Sequence, residues 1–98
     1  VLTREYIFSK IKQQKPQVEK YGVGEIGVFG SYVRDEQNQQ SDIDILIDFK
    51  NGEATFDNFM DVYDLLEGMF PQEKVSVVTK NSLNKYIAPY ILKEVKYV

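Results

Sequence analysis

Asp42-Ile43-Asp44-Ile45-Leu46-Ile47-Asp48-Phe49 alternates with a period of two, the pattern of a β-strand with one apolar face. Ile43, Ile45, Ile47 and Phe49 share one side, and Asp42, Asp44, Leu46 and Asp48 the other. Asn51-Gly52 closes the stretch as a turn. Asp42 and Asp44 therefore leave the same face, with Cα atoms about 6.6 Å apart. Carboxylates so close repel each other unless a cation lies between them. Mg²⁺ accepts such a pair while keeping waters and substrate phosphates as further ligands. The competing reading is an acidic edge strand that uses charge to block aggregation. Asp48, about 13 Å beyond Asp44 at strand rise, fits that second reading better.

Upstream, Glu25 to Phe29 reads as a short buried strand ended by Gly30-Ser31, with a brief helix through Arg34. Residues 35–40 hold no apolar side chain and read as a solvated loop. At the N-terminus, Thr3 can cap a helix with Ile7, Phe8 and Ile11 on one side. Lys15-Pro16 is expected to interrupt it, Pro16 opening a second turn that ends near Gly22. Downstream, Thr55 reads as the N-cap of a helix carrying Phe56, Phe59, Met60, Tyr63, Leu66 and Phe70 at helical spacing, stopped by Pro71. Lys74 to Val78 is a third strand, residues 82–94 read as helical with a restart at Pro89, and residues 95–98 as a terminal strand. Strands alternating with helices predict an α/β (α+β) layer architecture, with residues 1–98 forming one domain.

The 98 residues contain neither cysteine nor histidine. That excludes disulfides, a thiol nucleophile, a Ser-His-Asp triad and zinc held by imidazole or thiolate. Any metal must be a hard cation held by oxygen, and proton transfer falls to carboxylates, lysine, tyrosine or water. The net charge of −3 argues against a nucleic-acid module that binds through a basic surface. Its distribution is uneven: residues 25–73 carry twelve acidic groups against Arg34 and Lys50 alone, −10, whereas residues 74–98 carry +4. The acidic middle attracts cations or a basic partner, or is a solvated helix face. No apolar run approaches membrane-spanning length and no signal-peptide pattern is visible, so the expected location is cytoplasmic.

Gly30-Ser31 at a strand end is an ordinary turn or a phosphate cradle. Glycine lets backbone N–H groups approach an anion, Ser31 adds a hydroxyl, and Arg34 offers a charged fork. An ion pair of Arg34 with Asp35 or Glu36 is the competing reading. Tyr32 either touches a nucleotide or packs, and Tyr63 reads as core.

Taken together, Gly30-Ser31, Arg34 and Ser41-Asp42-Ile43-Asp44 resemble the signature of the minimal nucleotidyltransferases, relatives of the polymerase-beta-like and kanamycin nucleotidyltransferases. The opening helix, the segment Ile26 to Ser31 and the segment Ser82 to Val98 follow the same layout. The resemblance implies a nucleotidyltransferase fold, a small mixed sheet flanked by helices. It implies that Gly30, Ser31 and Arg34 bind the triphosphate of ATP or another NTP, and that Asp42 and Asp44 are catalytic and carry Mg²⁺. The implied reaction transfers a nucleoside monophosphate, AMP, to a hydroxyl on a partner protein or small molecule. Small members resemble MntA-like antitoxins, paired in toxin–antitoxin systems with a HEPN-domain protein that can itself be the acceptor; homo- or hetero-oligomers are in keeping with this. One departure stands out. Active members generally add a third carboxylate from the next strand, and here the matching place in Val75-Ser76-Val77-Val78 is Ser76, a neutral and weak ligand. The resemblance therefore also admits a catalytically impaired member that acts by binding its partner.

Overall fold

The computed structural model describes residues 2–98. Helix α1 (Arg4–Lys20) starts at Thr3, whose hydroxyl accepts the Tyr6 N–H at 3.1 Å. It runs unbroken past Pro16, contrary to the expected interruption. Pro16 removes one backbone donor, but Ile7 and Ile11 before it and Val18 after it are all fully buried, so packing carries the helix through. Strand β1 (Val23–Phe29) begins earlier than its apolar core suggested, with an irregularity between Val23 and Glu25. A four-residue helix α2 (Ser31–Arg34) follows, then β2 (Ile43–Phe49). Thr55 caps α3 (Phe56–Met69) as expected, accepting the Asn58 N–H at 3.1 Å. Strand β3 (Val75–Thr79) leads through a 3-10 turn to α4 (Ala88–Glu94) and β4 (Lys96–Tyr97). The expected helix over 82–94 thus reduces to its last turns. Asn84 takes the Tyr86 and Ile87 N–H groups on its side-chain oxygen, which holds a turn there and delays the helix until Pro89 can sit in its first turn.

The four strands form one mixed sheet in the order β3-β2-β1-β4. β1 runs antiparallel to β2 and β4, while β2 and β3 are parallel and joined by α3. One sheet face, with Ile26, Val28, Ile43, Ile45 and Ile47, is closed by α1 and α3 through Ile7, Ile11, Val18, Val62 and Leu66. Val62 belongs to this core and Phe56 does not: Phe56 is 77% exposed at the start of α3, a turn short of where the helix meets the sheet. The opposite face carries the alternate residues. Gly27 pairs with Leu46, Val95 lies directly over Gly27, and Leu46 is 1% exposed. At the next position along the strands, Phe29, Asp44 and Ser76 stand side by side. That row, at the end of the sheet where β1 turns into α2, positions the site.

Candidate active site

Gly30 ends β1 with φ 81° and ψ −156°, a backbone conformation essentially reserved for glycine. The conformation turns the chain sharply into α2, and Val33 N–H and Arg34 N–H both donate to the Gly30 carbonyl. No side chain caps this helix, so the Ser31 and Tyr32 amides have no intrahelical acceptor. Arg4 ties down the far end of α2 by donating to the Val33 carbonyl at 3.0 Å. Tyr32 is 1% exposed, so it packs into the core and anchors the turn instead of facing a nucleotide.

Asp44 faces this turn across the β1–β2 pair. A Cβ on Gly30 would overlap Asp44 Oδ2 and lie 3.1 Å from its Cγ, so the missing side chain is what allows the carboxylate to sit there. Asp42 lies just before β2 and is partly exposed, one alternation away. Neither carboxylate belongs to an ion pair among the described residues. Asp44 is pushed up to about 6, first by burial, then by the negative charges of Asp42 and Glu94, with Arg34 opposing. An all-oxygen pair held together without a compensating cation suits a divalent metal. No cluster of three or more acidic, histidine or cysteine side chains able to hold a metal occurs among the described residues, so substrate phosphates and water would have to complete the shell. Ser76 is paired in register with Asp44 on β3, so the residue type at that one position decides whether a third carboxylate flanks the pair.

Arg34 reaches the site already engaged. Its Nε donates to Glu36 at 2.9 Å and its Nη1 to Glu94 at 2.5 Å. The ion pair expected with a near neighbour is present with Glu36, while the contact to Glu94, the last residue of α4, carries no local signal in the sequence. Glu94 also accepts the Gly30 N–H at 2.7 Å. Burial alone would raise the Glu94 carboxyl, but the hydrogen bonds from Arg34 and Gly30 outweigh it and hold the group below its ordinary value. Phe29, Gly30, Arg34, Ile87, Tyr90 and Glu94 line an open cleft of about 440 Å³, within the size range of small-molecule sites. Gly30, Ser31, Arg34 and Asp44 meet at one end of the sheet with Asp42 beside Asp44, although Ser31 and the two carboxylates do not line this cleft. Asp48 stands apart, lining a separate cleft with Phe56, Val78 and Ser82 near the other end of β2.

The family model described as the nucleotidyltransferase domain matches residues 10–98. The protein adenylyltransferase MntA of Thermococcus cleftensis is 42% identical over 99 residues, spanning 100% of this chain and 98% of the relative. A relative from Methanocaldococcus jannaschii is 40% identical over 90 residues, spanning 87% of this chain and 82% of its own. A solved structure of the minimal nucleotidyltransferase type superposes with a TM-score of 0.83 at 24% identity, covering 97% of this chain and 95% of that one. A toxin–antitoxin crystal structure with AMP-PNP superposes with a TM-score of 0.66 at 20% identity, covering 98% of this chain and 72% of that one. At these identities the structural likenesses speak for the fold.

Proposed function

The chain belongs to the nucleotidyltransferase domain family, and from that premise we propose that it transfers AMP from Mg-ATP to a hydroxyl of a partner protein. The observation that carries the reading is the approach of Asp44 to Gly30, which brings the acidic pair against the Gly-Ser turn. The relative from Thermococcus cleftensis, a protein adenylyltransferase, supports adenine as the base and protein as the acceptor. Toxin–antitoxin structures of the same fold support a toxin as that partner; in this reading the toxin is a HEPN-domain protein and the pair works in the cytoplasm. Residues 1–98 act as one minimal domain, and the partner supplies the acceptor side of the cleft.

In this reading the Ser31 and Tyr32 amides and the Ser31 hydroxyl hold the terminal phosphates, and Arg34 neutralises part of their charge. Asp42 and Asp44 would hold Mg²⁺, which polarises the phosphate oxygens and stabilises the charge that develops as pyrophosphate leaves. The acceptor oxygen bonds to the α-phosphorus while the bond to the bridging α–β oxygen breaks; the hydroxyl proton passes to water and pyrophosphate leaves. Orientation is the main contribution of the protein, because such a transfer asks for in-line placement more than for covalent help. The test is a calorimetric titration with Mg-ATP: the folded chain binds and Asp44→Asn does not. Binding that survives Asp44→Asn unchanged overturns the site assignment.

The Ser76–Asp44 pairing favours one second reading, a member that binds its partner but transfers slowly or not at all. Transfer of label onto the partner separates the two. Tight binding without transfer supports the second.

A further inference from the structure

Two of the groups that sequence alone offers to a phosphate, the Gly30 amide and Arg34, are held by one internal carboxylate. Glu94 Oε2 accepts the Gly30 N–H at 2.7 Å, and Oε1 accepts Arg34 Nη1 at 2.5 Å. A single anion bridging a backbone amide and a guanidinium is held as a phosphate is held, by charge-assisted hydrogen bonds from a turn and a fork. The contact is built by the fold and not by neighbouring sequence. Glu94 lies 64 residues from Gly30, its side chain is 23% exposed, and the segment after it is pinned where Val95 packs over Gly27 and the Val98 N–H donates to the Ile26 carbonyl.

We propose that Glu94 is a built-in competitor for the nucleotide: its carboxylate fills part of the phosphate cradle, and Mg-ATP binds by displacing it from Gly30 and Arg34. The inference rests on the proposed site and adds the residue that sets its affinity. Without nucleotide, Glu94 keeps Arg34 turned toward the cleft and supplies the Gly30 amide with an acceptor, so the cradle is preformed. Binding then loses the free energy of two charge-assisted hydrogen bonds before it gains those of the phosphate. Displacement also disturbs α4, whose Tyr90 lines the same cleft beside Ile87 at the helix start and is 77% exposed to any partner that docks there.

The experiment titrates the full chain, Glu94→Gln and Glu94→Ala with Mg-ATP and, separately, with inorganic tripolyphosphate, reading heat and the backbone amide resonance of Gly30. Both variants are expected to bind each probe at least about tenfold more tightly than the parent chain. The Gly30 resonance is expected to move in the free variants, and in the parent chain on adding either probe. Parent binding that the variants leave unchanged or weaken overturns the inference while the proposed site stands. No binding by any of the three overturns both. A Gly30 resonance identical in the parent chain and Glu94→Ala also overturns the inference, because the contact is then absent. Glu94→Gln keeps the shape of the side chain, so the comparison survives if Glu94→Ala fails to fold.

Discussion

Replacing Gly30 with alanine perturbs the backbone and the acidic pair at once. At φ 81° and ψ −156° an L-residue is strained, at about 1–3 kcal/mol for so unfavourable a region. For a chain of this size each kcal/mol lowers Tm by about 4–8 °C. The new methyl also overlaps Asp44 Oδ2 and comes within 3.1 Å of Cγ and 3.3 Å of Cβ. The obstacle is the end of a side chain, so the protein can relieve the overlap by rotating Asp44, but that rotation moves the carboxylate off the position it holds against the turn. Gly30→Ala is therefore expected to lose both stability and Mg-ATP binding. Gly52→Ala is a control for a positive φ without the overlap: φ is also 81°, yet nothing lies within 4 Å of where its methyl would stand. Thermal melts and calorimetry on both variants separate strain from displacement. The reasoning is refuted if Gly30→Ala melts with the parent chain, or binds Mg-ATP as tightly as Gly52→Ala.

Asp44 in the folded chain is pushed up to about 6, above an unfolded value of about 3.9, so its protonation favours the folded state. The Asp44 contribution is fully present below about pH 4 and is lost as pH rises through about 6. Asp44→Asn, neutral throughout, should accordingly gain Tm over the ligand-free parent chain as pH climbs to about 7 and gain nothing at about pH 4; an equal difference at both pH values contradicts this. Ser76→Asp puts a like charge beside Asp44 across β2 and β3, and should destabilise the metal-free chain by about 0.2–1 kcal/mol, recover stability with Mg²⁺ and raise transfer from labelled ATP. Melts unaffected by Mg²⁺ and unchanged transfer would show that position 76 is not the vacant ligand place. Gly27→Ala would bring a methyl to 2.7 Å from Val95 Cγ2 and 2.9 Å from the Lys96 carbonyl, and should lift β4 off β1. Hydrogen exchange should then accelerate at Val98, whose amide bonds to Ile26; protection equal to the parent chain counts against that packing.

Local chemistry explains how much of the molecule was legible beforehand. The alternation from Asp42 to Phe49 needs only the two-residue period of a strand, and the Thr55 cap needs only the orphan amides of a helix start, so both appear as read. Pro16 misleads because a missing hydrogen bond is a local penalty, while burial of Val18 is a tertiary gain that a local reading does not register. The span 82–94 misleads for a related reason, since Asn84 diverts two amides into a turn before the helix can form. At the site, Gly30, Ser31, Asp42 and Asp44 sit within 15 positions and announce themselves by spacing. Glu94 does not: it arrives through the return of the chain from α4 to β4, which brings it to Gly30 from 64 residues away.

The central claim is that the Gly30–Ser31 turn and the Asp42/Asp44 pair place ATP for transfer of AMP to a partner hydroxyl. Incubating the chain and the proposed HEPN-domain partner with ATP labelled at either the α- or the γ-phosphate tests it most directly. The expected result is α-label, and no γ-label, on the partner in the presence of Mg²⁺, with both signals absent for the Asp42→Asn/Asp44→Asn double variant. Label from the γ-phosphate, or α-label that persists in the double variant, would contradict it.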